Sequence, residues 1–509
     1  MGGRVMGVRV TAMLLAVGLG TAACGGGGGS GEDSGGAAIL RWGIPGNPTS
    51  LDPRLAGPLD PVFLDNFYET LIDRKPNGEL KPGLATEWKF APDGKAIDLT
   101  LRAGVKFQDD TPFDAEAVKA NVEAAKKPPS LLVGALKSIE AVEVSSPTQV
   151  RLVLSAPGGH LVNVLAGEAG MMISPKALGN ADLKTKPVGT GPFKLTDIAD
   201  GRLSMRAWDG YWNRSAVKIG GIEMTVYADE ATRLRAVRSG QSDGSSITPA
   251  QVAEAKSAGL TVVQGANTTF NGILLNTGAS EFGNPKVRQA MSYAVDRKAI
   301  SDSLYAGACK PSVQPFQDGF WAYDAELAGT DAYHDVDKAK ALLAEAGLPN
   351  GFKFEMNVGP NTSYQQLAQA LQAQLAQIGI TMSITVLEAS QLINARRTGK
   401  FNATVSLVQA GRPDPSQFVA DYYMPGGIYN PGKFTADGVA DLLAQSRQTD
   451  DLATRQGPMR QIIKTVFDAG PPVIPVCGVQ YVAAFRSGID GFQVPVVGDY
   501  DFGSLTITK

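Results

Sequence analysis

Residues 80–122 read LKPGLATEWKFAPDGKAIDLTLRAGVKFQDDTPFDAEAVKANV. Ile97, Leu99 and Leu101 alternate with Asp98, Thr100 and Arg102, the period of a strand with one buried face. Asp93-Gly94 ahead of that run is a turn dipeptide, and Gly104 closes it. Asp114 stands where a helix N-cap belongs, Glu116 falls in the first turn, and Val118 and Val122 share one face. The stretch predicts a hairpin of strands that runs into an amphipathic helix.

On the amino-terminal side, residues 39–53 (ILRWGIPGNPTSLDP) read as a strand followed by a Gly/Pro-rich loop, and residues 65–72 (DNFYETLI) carry a helical pattern. Downstream, residues 139–144 and 150–154 form apolar runs around Ser145-Ser146-Pro147-Thr148, which predicts a hairpin. Asn284 and Pro285 open a helix with Val287, Met291, Ala294 and Val295 on one face. Asp335 caps a second helix over 336–346, and Gly347 stops it. Residues 352–358, 364–378 and 380–387 follow as strand, helix and strand, the spacing of a parallel βαβ unit.

Several of these segments together resemble the family-5 extracellular solute-binding proteins of bacterial ABC importers, the dipeptide- and oligopeptide-binding proteins. The resemblance rests on PGLATEW, then Asp93-Gly94, then LRAGVKFQDDTPFDAEAV; on PVGTGPFK at 187–194; on WDGYW at 208–212; and on TRLRAVRSGQSD at 232–243. NTTFNGILLN at 267–276, VRQAMSYAVDR at 287–297 and PPVIPV at 471–476 continue it in the family's order. It implies an α/β, two-lobed periplasmic-binding-protein fold of mixed sheets flanked by helices, with an extra subdomain in the first lobe. Lobe I is expected over 38–275 plus 474–509, with the subdomain at about 54–186, and lobe II over 276–473. It also implies capture of a solute, a peptide first of all, between the lobes. Delivery then goes to permease subunits driven by separate ATPase subunits.

Composition agrees with such a role. At 509 residues the chain is too long for one core, so more than one domain is expected. Hydrophobic content of 43% and charged content of 19% belong to a folded soluble protein. A formal net charge of −3 with no basic run argues against a nucleic-acid partner.

Residues 1–23 read as a signal peptide: Arg4 and Arg9 precede a short apolar segment, too short to span a bilayer, and small residues run up to Cys24. That end is similar to a bacterial lipobox, and residues 24–37 are a lipidated cysteine with a Gly/Ser-rich tether. The mature chain is expected outside the cytoplasm, lipid-anchored at the outer face of the cytoplasmic membrane or in the periplasm, as a monomer. The alternative is an ordinary secretory signal followed by a chance cysteine. Cys309 and Cys477 remain, and they are either bridged or two buried thiols.

Catalytic chemistry is sparse. Gly240-Gln241-Ser242-Asp243-Gly244 matches the nucleophile-elbow pattern and leaves a secreted hydrolase through Ser242 as a remote alternative. Only His160 and His334 could serve it as base, and the serine follows a helical segment where an elbow follows a strand. No metal site, calcium loop, phosphate loop or cofactor is expected. A sensor that shares the fold without feeding a permease is a third reading.

In peptide-binding relatives a lobe II strand ends in Trp, two residues, and an Asp that holds the peptide's α-ammonium, shortly before Asp-Pro. Here the matching stretch is residues 408–415, which places Val408 at the tryptophan and Gly411 at the amine position. A slip of one or two residues would bring Asp414 there instead. Arg412 beside the gap suits a carboxylate or phosphate, or simply solvent. Trp321, Tyr323, Tyr422, Tyr423 and Tyr429 could stack on a ligand or pack in the core. The candidate ligand residues are Asn47, Thr49, Asn276, Trp321, Gln409, Gly411, Arg412, Asp414 and Tyr429. Peptide leads as the ligand class, and the alternative is an opine, oligosaccharide, metal chelate or anionic solute.

Overall fold

The computed structural model describes residues 37–509 apart from 58–59, 200, 330–332, 412–413, 499 and 509. The signal segment, Cys24 and Arg412 therefore lie outside the described residues.

Strands Ala85–Phe90 and Ala96–Leu101 pair antiparallel around Asp93-Gly94, where Gly94 takes φ 69°, a conformation free of strain only without a side chain. Strands Gln149–Leu154 and Ile139–Ser146 complete a four-stranded antiparallel sheet. Helix Ala115–Ala125 starts at Asp114, whose Oδ1 accepts from the Ala117 amide at 2.9 Å. Its Val118 and Val122 join Ile97, Leu99 and Leu101 in one buried cluster. The hairpin-and-helix reading of the stretch holds.

The helix expected over 65–72 does not form. A single turn spans Pro61–Leu64, and the next strand starts at Ile72. The carbonyls of Asn66 and Phe67 accept from the Phe193 and Gly191 amides, and the Leu71 amide donates to Gly170. Only the Asp65 and Tyr68 amides still donate four residues back, to Pro61 and Leu64, and the rest of the bonding goes largely to neighbouring segments. Phe67, Tyr68, Leu71 and Ile72 are all buried, so the apolar run has no solvent face for a helical period to follow.

Among the described residues the main sheet has eleven strands. Strand Ile39–Ile44 lies parallel to Gly221–Val226 and Gly244–Ser246, and Arg202–Ala207 and Phe193–Ala199 extend that side. On the other side Lys353–Val358 lies parallel to both Thr381–Val386 and Ala403–Gln409, with helix Thr362–Ala376 as the predicted crossover. Two long antiparallel strands, Thr261–Leu275 and Val473–Phe485, join the two sides. One core gathers around Trp42, Phe193, Phe485 and Phe502. Two others, around Met291 and Leu371 and around Phe270 and Phe418, cover the faces of the far side. Each half is therefore a sheet with its own apolar interior, and two strands carry the chain between them. Cys309 and Cys477 are bridged, with Cα atoms 5.4 Å apart, which settles the open alternative.

Candidate functional site

Where the crossing strands change sides, their pairing breaks. Ala266 faces Gln480 and Phe270 faces Gly478, so residues 267–269 stand opposite Val479 alone. Extra residues on one strand leave backbone groups without ladder partners, and buried ones must find others. Gln317 supplies one: its Nε2 donates to the carbonyls of Asn267, Thr269 and Val479 at 2.7, 2.9 and 3.1 Å. A Cβ on Gly478 would lie 2.3 Å from the Gln317 carboxamide carbon, so only glycine admits this side chain. The Thr268 amide donates to Val496, and the Thr268 carbonyl accepts from Ala410 at the end of strand Ala403–Gln409. The bulge is thus held from both sides, and the strands can bend there without losing their long ladders, which a hinge requires.

The expected ligand residues divide sharply around this point. Gln409 pairs with Thr269 beside the bulge, and Val408 is buried. Gly411 is buried against Thr268, whose Cγ2 would stand 2.2 Å from an added Cβ, so this position has no room for a carboxylate. Asp414 is fully buried. Its Oδ1 accepts from Arg455 Nη2 at 2.7 Å and from the Ser416 amide, which caps helix Pro415–Tyr423. That corrects the idea that Asp414 could slip to the amine position: both partners hold it inside the lobe.

Asn276 is also structural, its Nδ2 donating to the carbonyls of Gly399 and Phe401. Trp321 lies under the Arg455 guanidinium at 5.0 Å, and Tyr429 stacks on Tyr422 at 4.8 Å. Asn47 and Thr49 are exposed in the loop after the first strand, where the Thr49 amide donates to Asp60. Sequence reasoning missed Thr268 and Gln317, because a bulge partner has no local signature.

Ser242 is buried in the turn between helix Glu230–Arg238 and strand Gly244–Ser246. A nucleophile elbow runs from strand to helix and exposes its serine. The order here is the reverse, so the motif match is coincidental. Its neighbour Asp243 receives Arg41 and Arg486 and ties the first strand to the return crossing.

A cavity of about 400 Å³ lies within lobe I, lined by Glu69, Asp73, Tyr211, Trp212 and Tyr500 among others. Among the described residues none from the far side of the sheet lines it, so it is not the space between the lobes. Burial raises the Glu69 carboxyl from 4.5 to about 7, although Trp212 Nε1 and Tyr211 OH donate to it. Between those values the folded protein keeps a proton that the unfolded chain releases, so stability falls as pH rises through that window. Glu69→Gln is expected to flatten this slope and raise Tm at pH 8 by a few degrees. Calorimetric scans from pH 5 to 8 measure it, and an unchanged slope refutes the assignment.

The model of the bacterial extracellular solute-binding proteins, family 5, matches residues 79–430. The glutathione-binding protein GsiB of Shigella dysenteriae is 30% identical over 474 residues, 88% of this chain and 90% of that protein. GsiB of Escherichia coli K12 is 29% identical over 507 residues, 94% and 96% of the two chains. Among solved structures, AgaA of A. tumefaciens in complex with agropinic acid superposes with a TM-score of 0.82 at 27% identity, over 93% of this chain and 99% of its own. The ABC transporter-associated DppA of Helicobacter pylori, in complex with the peptide STSA, shares the fold at a TM-score of 0.81 and 23% identity, over 93% and 98%. The two-lobed fold read from the motifs is the observed one, and the chain belongs to the bacterial extracellular solute-binding proteins of family 5.

Proposed function

We propose that this solute-binding protein takes a short peptide between its lobes and hands it to the permease pair of an ABC importer, whose ATPase subunits are separate chains. The observation that carries the peptide reading is similarity along nearly the whole chain to GsiB, which binds glutathione, itself a tripeptide. The held bulge in the crossing strands supplies the hinge, and only a solute that binds the closed form more tightly can shift the balance toward it. The lobes divide at 275/276 and 473/474, beside the end of strand Thr261–Leu275 and the start of strand Val473–Phe485. The protein acts by binding and not by catalysis, as a monomer, held to the outer face of the membrane through lipid on Cys24. No helix of the described residues is long and apolar enough to cross a membrane.

Because position 411 has no room for a carboxylate and Asp414 is sealed, the peptide is not gripped chiefly by its α-ammonium. Calorimetry with di- and tripeptides, glutathione included, is expected to show binding that weakens less than about tenfold on amino-terminal acetylation. A hundredfold loss would reveal an amine anchor elsewhere. Binding of an opine-type acid with no peptide binding at all would overturn the peptide reading.

A further inference from the structure

Helix Ala389–Thr398 sets Arg396 against strand Ala403–Gln409. Its Nε donates to Thr404 Oγ1 at 3.2 Å and its Nη2 to the Val405 carbonyl at 3.0 Å. Among the described residues Nη1 has no partner, and no carboxylate pairs with the guanidinium. Burial lowers the pKa of the group, and the groups that act against this are three tyrosines, Tyr422, Tyr429 and Tyr364. Arg288 and Arg297 are also withdrawn from water without a carboxylate, but carbonyl and hydroxyl oxygens take all three of their guanidinium nitrogens, whereas Arg396 keeps Nη1 unused among the described residues.

Three elements bring the tyrosines in. Tyr422 lies on helix Pro415–Tyr423 and stacks on Tyr429 with ring centroids 4.8 Å apart. Tyr364 comes from the first turn of helix Thr362–Ala376. A Cβ on Gly359 would sit 3.8 Å from Leu392 and 3.9 Å from Tyr364, and Leu392 is one turn before Arg396 on the same helix face. None of the three hydroxyls has a hydrogen-bond partner among the described residues. Burial raises the pKa of all three, so they remain O–H donors at neutral pH. The nearby carboxyl, Asp421, accepts from Gln417 Nε2 at 2.9 Å and acts on Tyr422 and Tyr429, not on Arg396.

The position suits a ligand. Thr404 pairs in register with Asn357, next to the last residue of strand Lys353–Val358, and the longer strand runs on to Gln409 at the crossing. The cluster therefore stands at the carboxyl ends of strands Lys353–Val358 and Thr381–Val386, beside the amino end of Ala403–Gln409, and carboxyl ends are where open α/β sheets receive ligands. Val386 at the end of strand Thr381–Val386, Leu407 on strand Ala403–Gln409 and Ile428 in the turn beside Tyr429 are exposed large apolar side chains that a solute could cover. We propose that Arg396, Tyr364, Tyr422 and Tyr429 form a site for a carboxylate of the transported solute, with Nη1 and the hydroxyls as donors. The planar guanidinium matches a carboxylate, and phenols complete its hydrogen bonds without bringing charge. This rests on the solute-receiving role above.

The test compares short peptides that have a free carboxyl terminus with their carboxyl-terminal amides, on wild-type protein, Arg396→Gln and Arg396→Lys. In the wild type, amidation is expected to weaken binding by about tenfold to a hundredfold. Arg396→Gln weakens the acid by a similar factor and leaves the amide unchanged, and Arg396→Lys recovers part of the acid's affinity. Tyr364→Phe and Tyr429→Phe, which remove only a hydroxyl, give smaller losses for the acid alone and serve if Arg396→Gln folds poorly. Glutarate, followed by thermal shift, is the second probe: it stabilises the wild type and not Arg396→Gln. Equal binding of acid and amide, equal loss of both in Arg396→Gln, or no wild-type response to any carboxylate overturns the site. A glutarate response that depends on Arg396 without any peptide binding keeps the site and removes the peptide reading.

Discussion

Replacing Asp414 with asparagine is expected to destabilise the protein by about 3–5 kcal/mol, because it leaves the Arg455 guanidinium charged and unpaired in the lobe interior. Both side chains are fully buried, with Oδ1 and Nη2 2.7 Å apart. Burial alone would push the Asp414 pKa up, but Arg455 above all holds it down at about 2. Arg455 is anchored in turn: its Nε donates to the Ser446 carbonyl at 2.7 Å, and its face lies over Trp321. A group whose folded pKa is depressed adds stability above its ordinary value of 3.8, and that stability is lost as pH falls toward about 2. Urea unfolding of Asp414→Asn at pH 7 measures the cost. Replacing both residues with apolar ones, Asp414→Leu with Arg455→Met, is expected to recover most of it, since the penalty comes from the stranded charge. Should Asp414→Asn keep wild-type stability and lose the solute, Asp414 is a ligand residue after all.

The fold was legible where local pattern and burial agree. Ile97, Leu99 and Leu101 have one buried face, and Asp114 caps the helix that its spacing predicts. The strand, helix and strand over 353–386 follow a period that one element can satisfy alone. Reading failed at 65–72 because Phe67 and Tyr68 are buried on all sides, so their apolar run has no period to report.

The site was less legible for a related reason. Arg412 stands in the family's binding stretch, yet the arginine proposed to meet the solute is Arg396, whose tyrosines lie 32 residues before it and 26 and 33 after it. Gly411 departs from the family's amine-anchor pattern, and the sequence gives no reason for the departure. What leaves no room there for a side chain is Thr268, contributed by a bulge in a strand more than a hundred residues earlier.

A side chain on Gly159 is expected to weaken solute binding by about tenfold or more while leaving each lobe folded. Gly159 belongs to the segment that follows the four-stranded sheet, and it meets the loop 447–450 on the other lobe. Its amide donates to the Arg447 carbonyl at 2.6 Å, and an added Cβ would lie 2.0 Å from the Thr449 carbonyl oxygen. Two further contacts lie alongside: Trp88 Nε1 donates to Asp450 Oδ2 at 3.1 Å, and Gly94 faces the Gln448 carbonyl. None of these residues is on the crossing strands, so the contact is a second connection between the lobes. Backbone cannot yield as a side-chain tip can, so Gly159→Val must hold the lobes apart there. A cost of about 1.4 kcal/mol confined to the closed form lowers affinity tenfold, because binding and closing are linked. Trp88→Phe, which removes one exposed-edge hydrogen bond, is expected to act in the same direction and less. Calorimetry with the bound peptide gives the affinities, and small-angle scattering shows whether saturating peptide still contracts the molecule. Wild-type affinity and full contraction in Gly159→Val would mean that the contact plays no part in closure.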